Sequence, residues 1–158
     1  MGVINMSALW AGLGRGQRLL GIDPGRKTVG LALSDVERRL ASPFGSLRRG
    51  RLAAMAAEIR AIAAKENVGG LVVGLPLEMD GNFGPAAQAA RDWAGALAAA
   101  CGLKAAMWDE RETTAAVQDF LLGVADMSRA RRARVVDRMA AARILQAALD
   151  AMRQAPGG

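Results

Sequence analysis

The sequence predicts an α/β fold, a five-stranded mixed sheet flanked by helices, and three observations carry that prediction. Two short apolar runs, residues 18–22 and 29–34, are separated by a glycine-containing turn of hairpin length, and residues 40–47 supply a third run, so the sheet opens as an antiparallel meander. From residue 51 onward, helical and strand patterns alternate, as they do where helices pack on the faces of a sheet. Residues 70–75, GLVVGL, form an unbroken apolar run, the pattern of a central strand covered on both sides. With 158 residues, 52% of them hydrophobic, the chain has the length of one domain and enough apolar surface for a core.

Each element follows from its residues. Residues 51–66 are rich in helix formers and place Leu52, Met55, Ile59 and Ile62 at spacings of three and four, which makes one helical face; Gly69 and Gly70 are expected to stop it. Pro76 ends the 70–75 strand, and LEMDGNFG reads as a loop from its Asp-Gly and Asn residues. Pro85 suits the first turn of a helix running to about Cys101, and residues 103–108 are the fifth strand. Thr113 or Thr114 can cap a helix to Leu122, and the basic segment SRARRAR reads as a connection into a final helix ending near Met152. Residues 1–16 read as a flexible N-terminal leader, 17–153 as the domain and 154–158 as a disordered tail. The leader lacks a basic start and its apolar patch is short and broken by glycines, so it matches neither a signal peptide nor a membrane span.

The net charge is +6, and the basic excess is mostly arginine. Clustered arginines bind phosphate bidentately, so an anionic polymer is a better expected partner than a small neutral substrate; composition alone does not choose between nucleic acid and an acidic membrane. The chain has no histidine and one cysteine, Cys101. That excludes a disulfide framework and a histidine-activated nucleophile, makes a cytoplasmic location the expectation, and leaves Cys101 as a small buried apolar residue. Trp93 and Trp108 read as core residues. With three Trp, three Phe and no Tyr, aromatics are too few for a base-stacking platform.

Three acids stand out by position. Asp23 ends the first strand, Glu110 follows the fifth, and Asp137 lies in the last helix on the same stripe as Ala141, Ile144 and Ala148. Each has an ordinary structural explanation: Asp23 as a turn residue before Pro-Gly, Glu110 as a partner of a nearby cation, Asp137 as an acid in a helix first turn. Together they say more. Asp23 and Glu110 are expected at the ends of neighbouring parallel strands, where ligands collect, and an inward-facing Asp137 is costly unless paired or metal-bound. A divalent metal held by carboxylate oxygens is the leading chemistry for such a set.

The strings LGIDPGRKTVGLALSD, VVGLPLEMDGNFGPAAQAAR, WDERETT and VVDRMAAARILQAALD resemble, in order, the four signature blocks of the YqgF family, also called the RuvX family. The resemblance covers the chain from about Arg18 to Met152. It implies a ribonuclease H-like fold related to Holliday junction resolvases and a nuclease acting in 5′-end maturation of pre-16S ribosomal RNA. It further implies that Asp23, Glu110 and Asp137 form the metal-binding catalytic centre, with Mg²⁺ or Mn²⁺ as cofactor, and products ending in a 5′-phosphate and a 3′-hydroxyl. Two positions depart from the family pattern: Pro24 stands where many members have tyrosine, giving the Asp-Pro-Gly of the resolvases, and Glu112 stands where an apolar residue is common.

Nucleic-acid binding is expected from Arg26 and Lys27 beside Asp23, from Arg111 beside Glu110, and from Arg129, Arg131, Arg132 and Arg134 just before Asp137. The resemblance implies precursor ribosomal RNA as the partner, with ribosome-assembly particles as a second one, and no membrane is expected. Other functions fit parts of the pattern. A junction resolvase uses the same acids but needs a dimer, and the sequence declares no dimer face. An actin-like or sugar-kinase ATPase needs two such domains. A non-catalytic RNA or transcription-complex factor would use the basic face and be indifferent to the acids.

Overall fold

The computed structural model describes residues 3–75, 85–109 and 129–154, with side chains in the last segment described from residue 138 onward. In chain order the elements are β1 (Val3–Ile4), α1 (Met6–Ala11), β2 (Arg18–Pro24), β3 (Thr28–Ser34), β4 (Ala41–Arg48), α2 (Leu52–Glu66), β5 (Val68–Leu75), α3 (Pro85–Cys101), β6 (Lys104–Asp109) and α4 (Arg129–Gln154). The strands form one sheet in the order β1-β6-β5-β2-β3-β4.

The sheet is mixed, as expected. β2, β3 and β4 make the antiparallel meander, with Asp23 opposite Gly30 and Thr28 opposite Arg48. On the other side of β2, the strands β5, β6 and β1 all run parallel to their neighbours. The chain between β5 and β6 includes helix α3, the usual form of crossover between parallel strands.

Alternation along the strands divides the core into two layers. Leu20, Ile22, Val29, Leu31, Leu71, Val73 and Ala105 face α2 and α3, meeting Met55, Ile59, Ala94 and Leu97. Leu19, Ala32, Val72 and Ala106 face the other way, against Met6 and Leu9 of α1 and Ala141, Ile144, Leu145, Ala148 and Leu149 of α4. β2 and β5 therefore carry apolar residues on both faces, which is why they read as unbroken runs.

Four expectations need correction. The residues expected to be a flexible leader include a strand and a helix: Val3 and Ile4 pair with Ala105 and Ala106, and Met6 and Leu9 are buried. That edge strand makes the sheet six-stranded, not five-stranded. Helix α2 ends at Asn67, whose left-handed backbone (φ 56°) closes the helix through its N–H to the Ala63 carbonyl. Gly69 and Gly70 belong to β5 instead, and a Cβ at residue 70 would lie 2.6 Å from Leu9 Cδ1 of α1. Finally, α4 begins at Arg129, so residues 129–134 are helical backbone and not a connection, and Asp137 lies beyond the first turn. The LEMDGNFG loop, the helix expected after Thr113 or Thr114 and the tail beyond residue 154 lie outside the described residues.

Candidate functional site

β2, β5 and β6 are parallel and contiguous, so their carboxyl ends meet at one edge of the sheet. The register is explicit: Ile22 lies opposite Val73, Gly74 opposite Trp108, and Leu75 opposite Asp109. Asp23 stands at that edge, and the chain leaves Asp109 directly into Glu110, which is outside the described residues. β5 lies between β2 and β6, so the strands that precede Asp23 and Glu110 are next-nearest neighbours instead of adjacent ones, about 10 Å apart.

Helix α4 completes the edge through its direction. Leu19 and Gly21 face α4, and strand alternation puts Asp23 on the same side. A Cβ at Gly21 would meet Leu145 and Ala141, which fixes that part of the helix over residue 21. Further along the helix, Gln146 accepts from the Ala41 N–H at 2.8 Å and donates to the Arg39 carbonyl at 2.9 Å. Ala41 pairs with Ser34, whose Oγ accepts from the Leu19 N–H at 2.9 Å, so Gln146 marks the level of the amino end of β2. The helix therefore runs antiparallel to β2. One helical turn before Ala141, about 6 Å back along the axis, is position 137; two residues beyond Gly21, about 6.6 Å along the strand, is Asp23. The backbone brings positions 23 and 137 to the same level, and Ala141, Ile144 and Ala148 on the Asp137 stripe are all fully buried.

Among the described residues no three His, Cys, Asp or Glu side chains cluster closely enough to hold a metal, and the side chains of Glu110 and Asp137 are not among those described. The donor set suits a hard divalent ion: carboxylate oxygens, with no histidine in the chain and Cys101 distant in α3, exclude the ligands zinc prefers. Trp108, on the α4 face beside Ala106, has its Nε1 buried without an acceptor among the described residues. A donor-only group at this edge suits an anionic oxygen.

The predicted basic residues divide between the described and undescribed parts. Arg26 and Lys27 are exposed in the turn after Asp23. Arg129, Arg131, Arg132 and Arg134 occupy the first two turns of α4, and Arg111 lies outside the described residues. Two further arginines join Arg26 and Lys27. Because Thr28 pairs with Arg48, the end of β4 sits beside the turn, and Arg26, Lys27, Arg48 and Arg49, with Thr28, Ser46 and Leu47, line a cleft of about 700 Å³. The guanidinium of Arg49 lies 5.0 Å from the centre of the Trp93 ring. The signal that reveals Arg48 and Arg49 in sequence is the RRGR run at the end of the third strand, once that strand is folded back against the first turn.

The RuvX family model, described as Holliday junction resolvase, matches residues 17–151. A relative from Gluconacetobacter diazotrophicus, bearing the name "Putative pre-16S rRNA nuclease", is 63% identical over 151 residues, which is 96% of this chain and 98% of the relative. One of the same name from Acidiphilium cryptum is 53% identical over 154 residues, 98% of this chain and 97% of the relative. In fold, the chain is similar to the Thermus thermophilus RuvC protein solved with a Holliday junction substrate, at TM-score 0.55 and 18% identity over 87% of this chain and 96% of that one. A second T. thermophilus RuvC structure gives TM-score 0.51. The ribonuclease H-like architecture expected from the motifs agrees with this likeness. With the family model matching nearly the whole described domain, and with relatives above half identity, this chain belongs to the RuvX family.

Proposed function

We propose that this chain is a metal-dependent nuclease that hydrolyses phosphodiester bonds in the 5′-end maturation of pre-16S ribosomal RNA, in the cytoplasm. The reading draws its main support from one relationship, the antiparallel course of α4 over β2 that brings positions 23 and 137 to one level at the edge where β6 ends with Asp109. Relatives of up to 63% identity carry the pre-16S name, which supports the substrate.

Asp23, Glu110 and Asp137 would hold the ion, Mg²⁺ or Mn²⁺. Bound there, a divalent ion supplies an activated water and neutralises charge on the leaving oxygen. The chain's own part is to place its carboxylates. Asp23 pairs with Gly30 of β3, and β5 pairs with β2 as far as Ile22, the residue before it, which fixes the backbone that carries the carboxylate. With no imidazole in the chain, the proton of the attacking water passes to a carboxylate, a phosphate oxygen or solvent. Arg26, Lys27, Arg111, Arg129, Arg131, Arg132 and Arg134 grip the phosphate backbone on either side of the acids, with little reading of bases. Ribosome-assembly particles would present the precursor. Among the described residues no helix is long and apolar enough to cross a membrane.

Junction resolution is the second reading, favoured by Asp23-Pro24-Gly25 and by the fold likeness to RuvC. End-labelled pre-16S RNA, a four-way DNA junction and a generic single-stranded RNA, incubated with wild type and Asp23→Asn in Mg²⁺ or Mn²⁺, separate the two. Metal-dependent cutting of the precursor that the variant lacks is expected. Preference for the junction promotes the resolvase, and no cutting of any substrate, with RNA bound equally by both proteins, overturns the nuclease reading.

A further inference from the structure

Two segments separated in sequence build one cationic wall at the turn that follows β2. The turn after β2 contributes Arg26 and Lys27, the end of β4 contributes Arg48 and Arg49, and among the described residues none that lines the cleft is acidic. Like charges gathered round one cavity repel, and a polyanion relieves that repulsion. Arg49 is the fixed member. Its backbone N–H donates to the Lys27 carbonyl at 2.8 Å, its Nη1 donates to the Gly25 carbonyl at 2.8 Å, and its guanidinium rests over the Trp93 ring. Trp93 is itself half-buried and packed against the core, so it is a firm support. Arg49 also lines a smaller cavity of about 240 Å³ with Pro24 and Trp93.

A guanidinium held in advance loses little freedom when it binds phosphate, and the donors not used on Gly25 remain available. The cleft has the volume of a pocket for one small ligand, the size of one or two nucleotides of a single strand. We propose that this cleft is a phosphodiester subsite for a single-stranded flank of the substrate. Arg49 is its fixed donor, Arg26, Lys27 and Arg48 complete its charge, and Trp93 is a positioning residue acting through Arg49. The nature of the polymer rests on the nuclease reading.

The test is binding of a short fluorescein-labelled oligouridylate to the full chain in EDTA, followed by anisotropy across a salt series, with circular dichroism to confirm folding. Arg48→Ala and Arg49→Ala are each expected to weaken binding about three- to tenfold and to flatten the slope of log K against log salt by about 0.7. Trp93→Ala is expected to weaken binding in the wild-type background and to add nothing in Arg49→Ala, while Trp93→Phe retains most of the affinity. Unchanged affinity and salt slope in Arg48→Ala, an exposed site whose loss leaves the fold intact, overturns the subsite. Equal effects of Trp93→Ala in both backgrounds overturn the positioning role, and equal binding of a duplex overturns the single-strand assignment. Metal-dependent cleavage, measured separately, keeps the readings apart: cleavage with binding indifferent to the cleft overturns the subsite alone, and cleft-dependent binding without cleavage overturns the nuclease alone.

Discussion

Gly21 of β2 and Leu145 of α4 approach so closely that a Cβ at residue 21 would stand 2.8 Å from the Leu145 Cβ and 3.0 Å from the Ala141 carbonyl oxygen. Neither atom can swing aside, since one is the first carbon of a buried side chain and the other is backbone. Gly21→Ala is therefore expected to lower stability by about 1–3 kcal/mol, the range for overpacking a core. A reduced urea midpoint with an unchanged m-value is the expected observation, and an unaltered midpoint would contradict the contact.

Gln146 sets the register of α4 against the meander. Its amide bonds both Arg39 and Ala41, closing a contact across more than a hundred residues of chain. Gln146→Ala leaves the Ala41 N–H without that acceptor, at a cost of about 1–2 kcal/mol. Faster hydrogen exchange at the Ala41 amide should accompany the loss, and unchanged exchange would remove Gln146 from this role.

Asp35 makes part of the stability depend on pH. Burial pushes its carboxyl up, but the amide N–H groups of Leu40 and Arg39 and its own, with the Arg39 charge, together outweigh burial and hold it below its ordinary value of 3.8. A depressed folded pKa means that the contribution is present above 3.8 and is lost as pH falls through the lower folded value. Asp35→Ala should cost about 0.5–1.5 kcal/mol at neutral pH, from the loss of amide acceptors at a largely solvated site. The gap between variant and wild type should close in strong acid. A gap that persists there would show that the carboxylate charge is not its source.

Burial pushes the Cys101 thiol up, against a smaller opposing pull from Arg60, and Sγ lies 3.8 Å from the Ala56 carbonyl oxygen. The native thiol should therefore alkylate well below the rate of a free cysteine at mildly alkaline pH and recover that rate in urea. Equal rates in the two conditions would contradict its placement between α3 and α2.

The parts of the fold that were legible in sequence are those whose signals are long or punctuated. The 85–101 helix is readable at both ends because Pro85 opens it and Gly102, at φ 71°, closes it. β1 and α1 are not readable in the same way: two and six residues are too few for a period, and only the Asn5 cap and the Met6–Leu9 spacing hint at them. Gly69 and Gly70 look like punctuation, yet they sit inside β5 because Gln17, Leu13 and Leu9 press against them. The arginines at the start of α4 suggest a solvated link by charge, while arginine's good helix propensity lets the helix run through them. At the site, the carboxyl edge bearing Asp23 follows from where the strands end. The placement of Arg48 and Arg49 beside Arg26 and Lys27 does not, because it depends on the Thr28–Arg48 register across a hairpin, a pairing that local sequence does not encode.

Asp23, Glu110 and Asp137 are proposed to form one shared divalent-metal centre. Titration of Mn²⁺ into the protein, with free Mn²⁺ followed by electron paramagnetic resonance, tests it without any substrate. Asp23→Asn, Glu110→Gln and Asp137→Asn should each weaken binding at least tenfold relative to wild type, at unchanged fold. Wild-type affinity in the Asp137→Asn or Glu110→Gln protein would contradict a shared centre.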